Sequence, residues 1–330
     1  MKVKYVLFLL LVSACFFACE KEEVNGSALK NDCIKWTVGP NLAGQEIEFA
    51  YAMALPYNTG NIVSAQVEAS IAGAEGTWLE HRSYHTDQNG QTDTGVLVGD
   101  PSVTEGKTTR VDFVVDTCAA TLRYYYRIPE AAKGQSVSFT FSSTDNNGQT
   151  ATYRMGPYPV SKMDIALDLR FRNVERYISI QDMKIYTEAE AAANPGKIDL
   201  VYVWKNYNAQ GIAFAHTFSA PAADEIYRAG LALPEGMNRN TKIRKGGPKD
   251  AHLARLHLEG IAQPAIYVDD IDFIQMKFDN MPNYALNLIN EDGMWVETQD
   301  GEYRAYFFFK NFGGTGNVGG YLSMKRYKMK

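Results

Sequence analysis

From Ile34 to about Tyr158 the chain alternates apolar and polar residues with a period of two, the pattern of strands that bury one face and wet the other. Ile47, Phe49, Tyr51 and Met53 alternate with Glu46, Glu48, Ala50 and Ala52, and Val63 to Ile71 repeats the pattern. Val111, Phe113 and Val115 follow, then Leu122, Tyr124, Tyr126 and Ile128, then Val137, Phe139 and Phe141 among serines and threonine. Asp145-Asn146-Asn147-Gly148 supplies a hairpin turn, because Asn and Gly tolerate positive φ, and a last strand is predicted near Thr150 to Met155. Some seven short strands without a helix predict an immunoglobulin-like β-sandwich.

Gly156-Pro157-Tyr158-Pro159 interrupts the pattern and marks a boundary, so that a cut there is expected to separate two folded units. Beyond it the elements mix. Met163 to Phe171 alternates as a strand, and Thr187 with Glu190 forms a capping box for a short helix that Asn194-Pro195-Gly196 ends. Strands are predicted at Ile198 to Trp204, Ile212 to Phe218, Ala285 to Ile289, Met294 to Thr298, Tyr303 to Phe309 and Tyr321 to Arg326. Pro248 is expected to open a helix running to about Glu259. The whole reads as mainly β, a sandwich followed by a β-rich α+β domain.

The first residues follow a different rule. Lys2 and Lys4 precede an apolar run from Tyr5 to Ala18, which is too short to span a bilayer and has the form of an export signal. Lipoprotein processing needs a cysteine after a small residue, and both Cys15 and Cys19 qualify. Cys19 is favoured, because cutting there keeps Phe16 and Phe17 in the leader and puts Glu20-Lys21-Glu22-Glu23 directly after the lipid. The expected organisation is a signal peptide over 1–18, a lipidated cysteine and tether over 19–32, the sandwich over 33–158 and the second domain over 160–330. Such a chain is expected to be held on a membrane by its lipid, with its body outside the cytoplasm.

Composition adds little to this. With 22% charged and 45% hydrophobic residues and a formal net charge of −5, the chain is an ordinary globular protein with no electrostatic case for nucleic acid. The basic cluster Arg239, Lys242, Arg244, Lys245 and Lys249 reads as a solvated loop. Cys33 and Cys118 are the cysteines left after Cys19, and export would let them form a disulfide worth on the order of 4 kcal/mol; two buried thiols are the other reading.

Candidate chemistry is sparse. Gly314-Thr315-Gly316-Asn317-Val318-Gly319 matches a dinucleotide-binding string but precedes a strand instead of a helix, so it reads as a hairpin loop. His81 and His85 have metal-ligand spacing without the glutamate or third ligand that zinc catalysis needs. Asp269, Asp270 and Asp272 lack the glycine and distal glutamate of a calcium loop, and His216 reads as a packed histidine. No metal and no cofactor is expected, and no catalytic constellation stands out. The segment Glu80 to Gly95 is long for a connection and gathers His81, Arg82, Tyr84 and His85, groups suited to stacking on a sugar and bonding its hydroxyls.

Five segments carry a resemblance: Glu48-Phe49-Ala50-Tyr51-Ala52-Met53, Ala65 to Gly73, Leu122-Arg123-Tyr124-Tyr125-Tyr126, Asn194 to Asp199, and Trp295-Val296-Glu297-Thr298. Together they make the chain, from about Cys33 to Tyr327, similar to a family of Bacteroidetes outer-membrane lipoproteins of unknown function, some labelled adhesins. The resemblance implies an immunoglobulin-like N-terminal domain, an outer-membrane address and an adhesive role, and brings no catalytic or binding residues. The acidic tether also resembles the export tag of surface lipoproteins, although Lys21 interrupts it. The expected function is therefore a non-catalytic cell-surface adhesin or binder of glycan or matrix. The alternatives are a structural accessory subunit of an outer-membrane complex and, behind it, a glycan-processing enzyme.

Overall fold

The computed structural model describes residues 28–209, 212–246, 268–313 and 318–330. Residues 1–27 with Cys15 and Cys19, the helix expected from Pro248 to Glu259, Lys249 and residues 314–317 of the glycine-rich string lie outside them.

Strand dominates, at 52% against 8% helix. The first half holds β1 (Lys30–Lys35), β2 (Glu46–Ala54), β3 (Ile62–Ala69), β4 (Trp78–Leu79), β5 (Arg82–Thr86), β6 (Asp93–Leu97), β7 (Val103–Glu105), β8 (Thr108–Asp112), β9 (Ala119–Arg127), β10 (Ser136–Asp145) and β11 (Thr150–Pro159). A front sheet of order β1-β2-β9-β4 packs on a back sheet of order β11-β10-β3-β8-β7. The alternation read from the sequence is what joins them: the inward residues of β2, β9 and β10 are all buried, and every second residue faces out. Phe49 lies at the centre of the core, with ring centroids 4.8 Å from Phe139, 5.3 Å from Phe141 and 6.2 Å from Tyr124.

Several expectations need correction here. The sandwich holds more strands than the seven predicted. β11 runs through the Gly-Pro segment to Pro159, with Tyr158 opposite Val137, after a register shift that lets Gly156 adopt a φ of 95°. The Glu80 to Gly95 segment is not a loop but mostly the hairpin β5–β6, with Arg82 opposite Leu97 and Thr86 opposite Asp93. Cys33 and Cys118 are free thiols. Cys33 pairs with Tyr51, and Tyr51 with Leu122, four residues beyond Cys118. The cysteines are thus about 10 Å apart across the sheet and about 13 Å along it, while a bridge needs Cα atoms within about 7 Å.

The second half holds β12 (Asp164–Arg172), β13 (Glu175–Ser179), β14 (Lys184–Thr187), β15 (Leu200–Ala209), β16 (Ile212–Ser219), β17 (Lys242–Lys245), β18 (Tyr284–Leu288), β19 (Gly293–Glu297), β20 (Tyr303–Gly313) and β21 (Gly319–Lys328). Two six-residue helices accompany them, α1 (Glu188–Ala193) and α2 (Asp270–Gln275). The strands form one sheet of order β17-β19-β20-β21-β12-β13-β15-β16-β18, with β14 on β13. Its two ends meet. The Ile243 N–H donates to Pro282 O at 2.7 Å, and the Lys245 ammonium donates to the carbonyls of Leu286 and Asn287. The sheet therefore curls into a near-barrel around Phe171, Phe218, Phe307, Phe309 and their neighbours.

Thr187 and Glu190 form the expected capping box of α1. The acidic cluster does similar work: Asp269 caps α2, and Asp272 accepts from the Asp269 N–H at 2.9 Å. Of the basic cluster, read as a loop, Lys242, Arg244 and Lys245 lie on the edge strand β17, and Arg239 precedes it. Arg239 bridges Asp199 and Asp300, both at 2.8 Å, and Lys242 meets Glu297 at 3.0 Å.

His216 packs against Phe312, with centroids 4.2 Å apart, and its Nδ1 lies 2.8 Å from the Tyr202 hydroxyl. Burial lowers its pKa from 6.5 to about 4. A histidine held neutral in the fold contributes its full stability above the unfolded value of 6.5, and loses it as pH falls from there toward 4. Between pH 7 and pH 5 this residue is expected to remove on the order of 1 to 2 kcal/mol. Urea titrations at both pH values check this: His216→Gln should flatten the loss, and an unchanged loss would exclude His216 as its source.

The two halves are packed together. Leu42, from the β1–β2 connection, is 2% exposed and belongs to a cluster otherwise made of second-half residues, among them Met163, Phe273, Trp295 and Tyr306. Beside it the Ser161 N–H donates to Asn41 O at 2.8 Å, and Asp164 is held by both Lys133 and Arg326.

Candidate functional site

The outer face of the front sheet carries side chains that strand alternation would normally give to small polar residues. The Trp36 N–H donates to Glu48 O at 2.8 Å, Glu48 lies opposite Tyr125, and Tyr125 lies opposite Trp78. Three aromatic rings thus stand in one row across the sheet. Trp36 is 51% exposed and Trp78 36%, and Trp78 stacks on Tyr125 with centroids 4.8 Å apart and planes at 10°.

One level along β9, Arg123 ties this row to the hairpin. Its guanidinium lies 4.8 Å from the Trp36 ring on one side and 4.2 Å from the Tyr84 ring on the other, and it pairs with Asp93 of β6. The Thr121 N–H donates to Ser83 Oγ at 3.0 Å, so the hairpin continues alongside β9 and leans over the sheet. Between hairpin and sheet lies an open groove of about 470 Å³, lined by Tyr84, His85, Ala52, Ala54, Ala119 and Asp32 among others.

The base of the hairpin is organised by Glu80, a buried carboxylate. It accepts from Arg82 Nη2 at 2.8 Å and Nε at 3.0 Å, from the Tyr84 hydroxyl at 3.1 Å and from the His81 N–H at 3.1 Å. Burial pushes its carboxyl up, but the hydrogen bonds from Arg82 and Tyr84 outweigh this and hold it below the ordinary glutamate value. Burial and the same bond to Glu80 raise the Tyr84 hydroxyl.

The four ligand candidates therefore divide. His81 and Arg82 are used at Glu80, with His81 Nδ1 at 3.5 Å and Arg82 bidentate. Tyr84 and His85 line the groove, Tyr84 also packing on Arg123. Trp36, Arg123 and Tyr125 escaped sequence reasoning. Their signal was present, since Trp36 and Tyr125 put large aromatics on positions the alternation assigns to solvent, but only strand pairing brings them together.

Comparison with known proteins follows this division of the chain. Residues 26–160 match the family model described as domain of unknown function DUF4466, and residues 161–329 match domain of unknown function DUF8576. A crystal structure of a DUF4466 family protein from Parabacteroides merdae is 44% identical, covers 92% of this chain and 100% of its own, and superposes with a TM-score of 0.80. The major pilin GBS80 of Streptococcus agalactiae is 13% identical over 57% of this chain and 74% of its own, with a TM-score of 0.25. The major pilin subunit BcpA of Bacillus cereus is 11% identical over 58% of each chain, with a TM-score of 0.29, and neither overlay is close enough to carry an argument. No curated protein matches the chain. The protein belongs to the DUF4466 family, and its second half is a DUF8576 domain, both of unknown function.

Proposed function

We propose that the protein is a non-catalytic surface binder of an extracellular glycan or matrix polymer, an adhesin in the broad sense, held on the outer membrane by lipid on Cys19. The observation that carries this reading is the exposed aromatic face, with Trp36, Arg123 and Tyr84 stacked in sequence and the groove beside them. Flat rings half open to water beside hydrogen-bonding groups suit the apolar faces and hydroxyl edges of sugars. Of the carboxylates near the groove, Glu80 and Asp93 of the hairpin segment are engaged in ion pairs, and Asp32, which lines it, accepts from the Cys33 N–H at 2.8 Å.

An array of glycans and host-matrix proteins, probed with the soluble chain from residue 20 onward, tests the proposal. Trp36→Ala is expected to weaken the strongest signal at least about tenfold while leaving melting unchanged within about 1 kcal/mol. Silence across both ligand classes would sink it. Mass spectrometry of the mature N-terminus tests the anchor, with acylated Cys19 expected and acylated Cys15 the contrary result.

A second reading, an accessory subunit of an envelope complex, draws on Val96, Leu97, Val114 and Val115, exposed by 45% to 58%. They come together because the N–H groups of Val114 and Val115 both donate to Val98 O. Co-purification of a fixed partner from detergent extracts, lost in Val114→Asp, would favour it.

A further inference from the structure

Tyr227 and Tyr284 lie face to face, with ring centroids 3.6 Å apart and planes at 10°. Aromatic pairs ordinarily settle edge-on or offset, with centroids about 4.5 to 7 Å apart, because rings placed squarely over each other oppose faces of like charge. This pair is fully overlapped. Its hydroxyls are also hydrogen-bonded to each other, so the rings point the same way and the carbons ortho to each hydroxyl lie one above the other.

The fold holds both rings there. Tyr284 opens β18 and pairs with Ser219 of β16, and the Ala220 N–H donates to Asn283 O at 2.7 Å. Tyr227 sits in a single 3-10 turn, Glu225–Arg228, which Asp224 caps by accepting from the Ile226 N–H at 3.0 Å. Arg228 ties the end of that turn to the carbonyls of Ala223 and Leu231, at 3.2 and 2.9 Å, and Ile226 packs beneath it with Val203 and Ala229. The backbone on both sides is therefore fixed. Neither ring is shut away, since both are half-buried.

Oxidation of such a pair leads directly to a bond. When each phenol gives up one electron and one proton, two phenoxyl radicals form, and their unpaired spin is shared onto the ortho carbons. A carbon–carbon bond joins those carbons, and the hydrogen each carried moves to its oxygen, restoring both hydroxyls. Hydrogen peroxide acting through a haem peroxidase supplies the oxidant: it takes up the two electrons and two protons and leaves as two waters. Holding the reacting carbons in contact favours this coupling over escape of either radical.

We propose that Tyr227 and Tyr284 are a site of covalent modification, joined by peroxide-driven oxidation into a dityrosine that ties the 3-10 turn to β18. The bond forms whether or not the front sheet binds a glycan. It encloses residues 228–283 in a covalent loop, and restricting so long a stretch of the unfolded chain stabilises the folded one. Other tyrosines lack the geometry. Tyr124 and Tyr126 are 6.5 Å apart at 40° and buried, whereas Tyr57 is far more open to solvent, at 84% exposed.

The soluble chain, carrying Cys118→Ser to prevent cross-links through that half-exposed thiol, is treated at dilute concentration with a peroxidase and one equivalent of hydrogen peroxide. The expected product is a monomer lighter by two hydrogens, with dityrosine fluorescence and a digest in which the peptides of Tyr227 and Tyr284 are joined. It should melt several degrees above the untreated chain. Tyr227→Phe keeps the ring but forms no phenoxyl radical, and should cut the monomer's fluorescence at least about tenfold. If that variant misfolds, Tyr284→Phe makes the same test from β18. Tyr57→Phe removes the more exposed phenol and should change the signal less than about twofold. Cross-links mapped to other tyrosines, a yield unaffected by Tyr227→Phe, or dimers alone would overturn the proposal. So would absence of coupling under conditions that oxidise Tyr57, or a cross-linked form that melts below the parent.

Discussion

Phe49→Ala should cost about 4 kcal/mol and lower the melting temperature by roughly 10 °C. Phe49 is fully buried and touches the aromatic rings of both sheets, with Phe139 and Phe141 edge-on and Tyr124 beside it. Alanine would leave a void whose walls are rings fixed on separate strands, and such walls close poorly. Since domains are stable by only about 5 to 15 kcal/mol, the loss would be a large share of the total. Denaturant titration checks it, with Trp36→Ala on the outer face of the same sheet as a control that should change little. A loss below about 1 kcal/mol would mean that the core relaxes around the gap and that Phe49 is not its centre.

Leu42→Ala is expected to cost about 2 to 4 kcal/mol and to change the form of unfolding as well as its midpoint. Leu42 leaves the sandwich and fills a place among Phe273, Trp295, Tyr306 and Tyr327, so its removal weakens the join more than either half. Scanning calorimetry should show one transition for the parent and two for the variant. For the same reason, cleavage between Gly156 and Pro159 in the parent is expected to leave the halves associated. Two transitions in the parent, or none gained in the variant, would show that the halves unfold independently of this contact.

How much of this was legible in the sequence depends on how each strand buries itself. β2, β9 and β10 each hide one face, and their alternation predicted both their places and the sandwich. β5 and β6 have no buried residue, so the hairpin carries no alternation and its segment reads as a loop. β17 buries only Ile243 and is held by ion pairs and by the meeting of the sheet's ends, contacts that local pattern cannot express. α2 is six residues long, too short for helical periodicity, and its capping acids were the sign that went unused. The sequence named the hairpin's ligand candidates but not their places: Tyr84 and His85 line the groove, His81 and Arg82 are used at Glu80, and Trp36, Arg123 and Tyr125 meet through pairings far apart in the chain.

Leu42 also constrains inheritance. The two family models meet between residues 160 and 161, which looks like a joint where genes could be cut and recombined. Yet a first half grafted to an unrelated partner would hold this side chain out to water, and a second half taken alone would open a hole beside Trp295 and Tyr306. A shuffled chain would have to repair both faults at once. The seam therefore acts as a key and its lock, and it favours passing the two halves on together, as one matched pair.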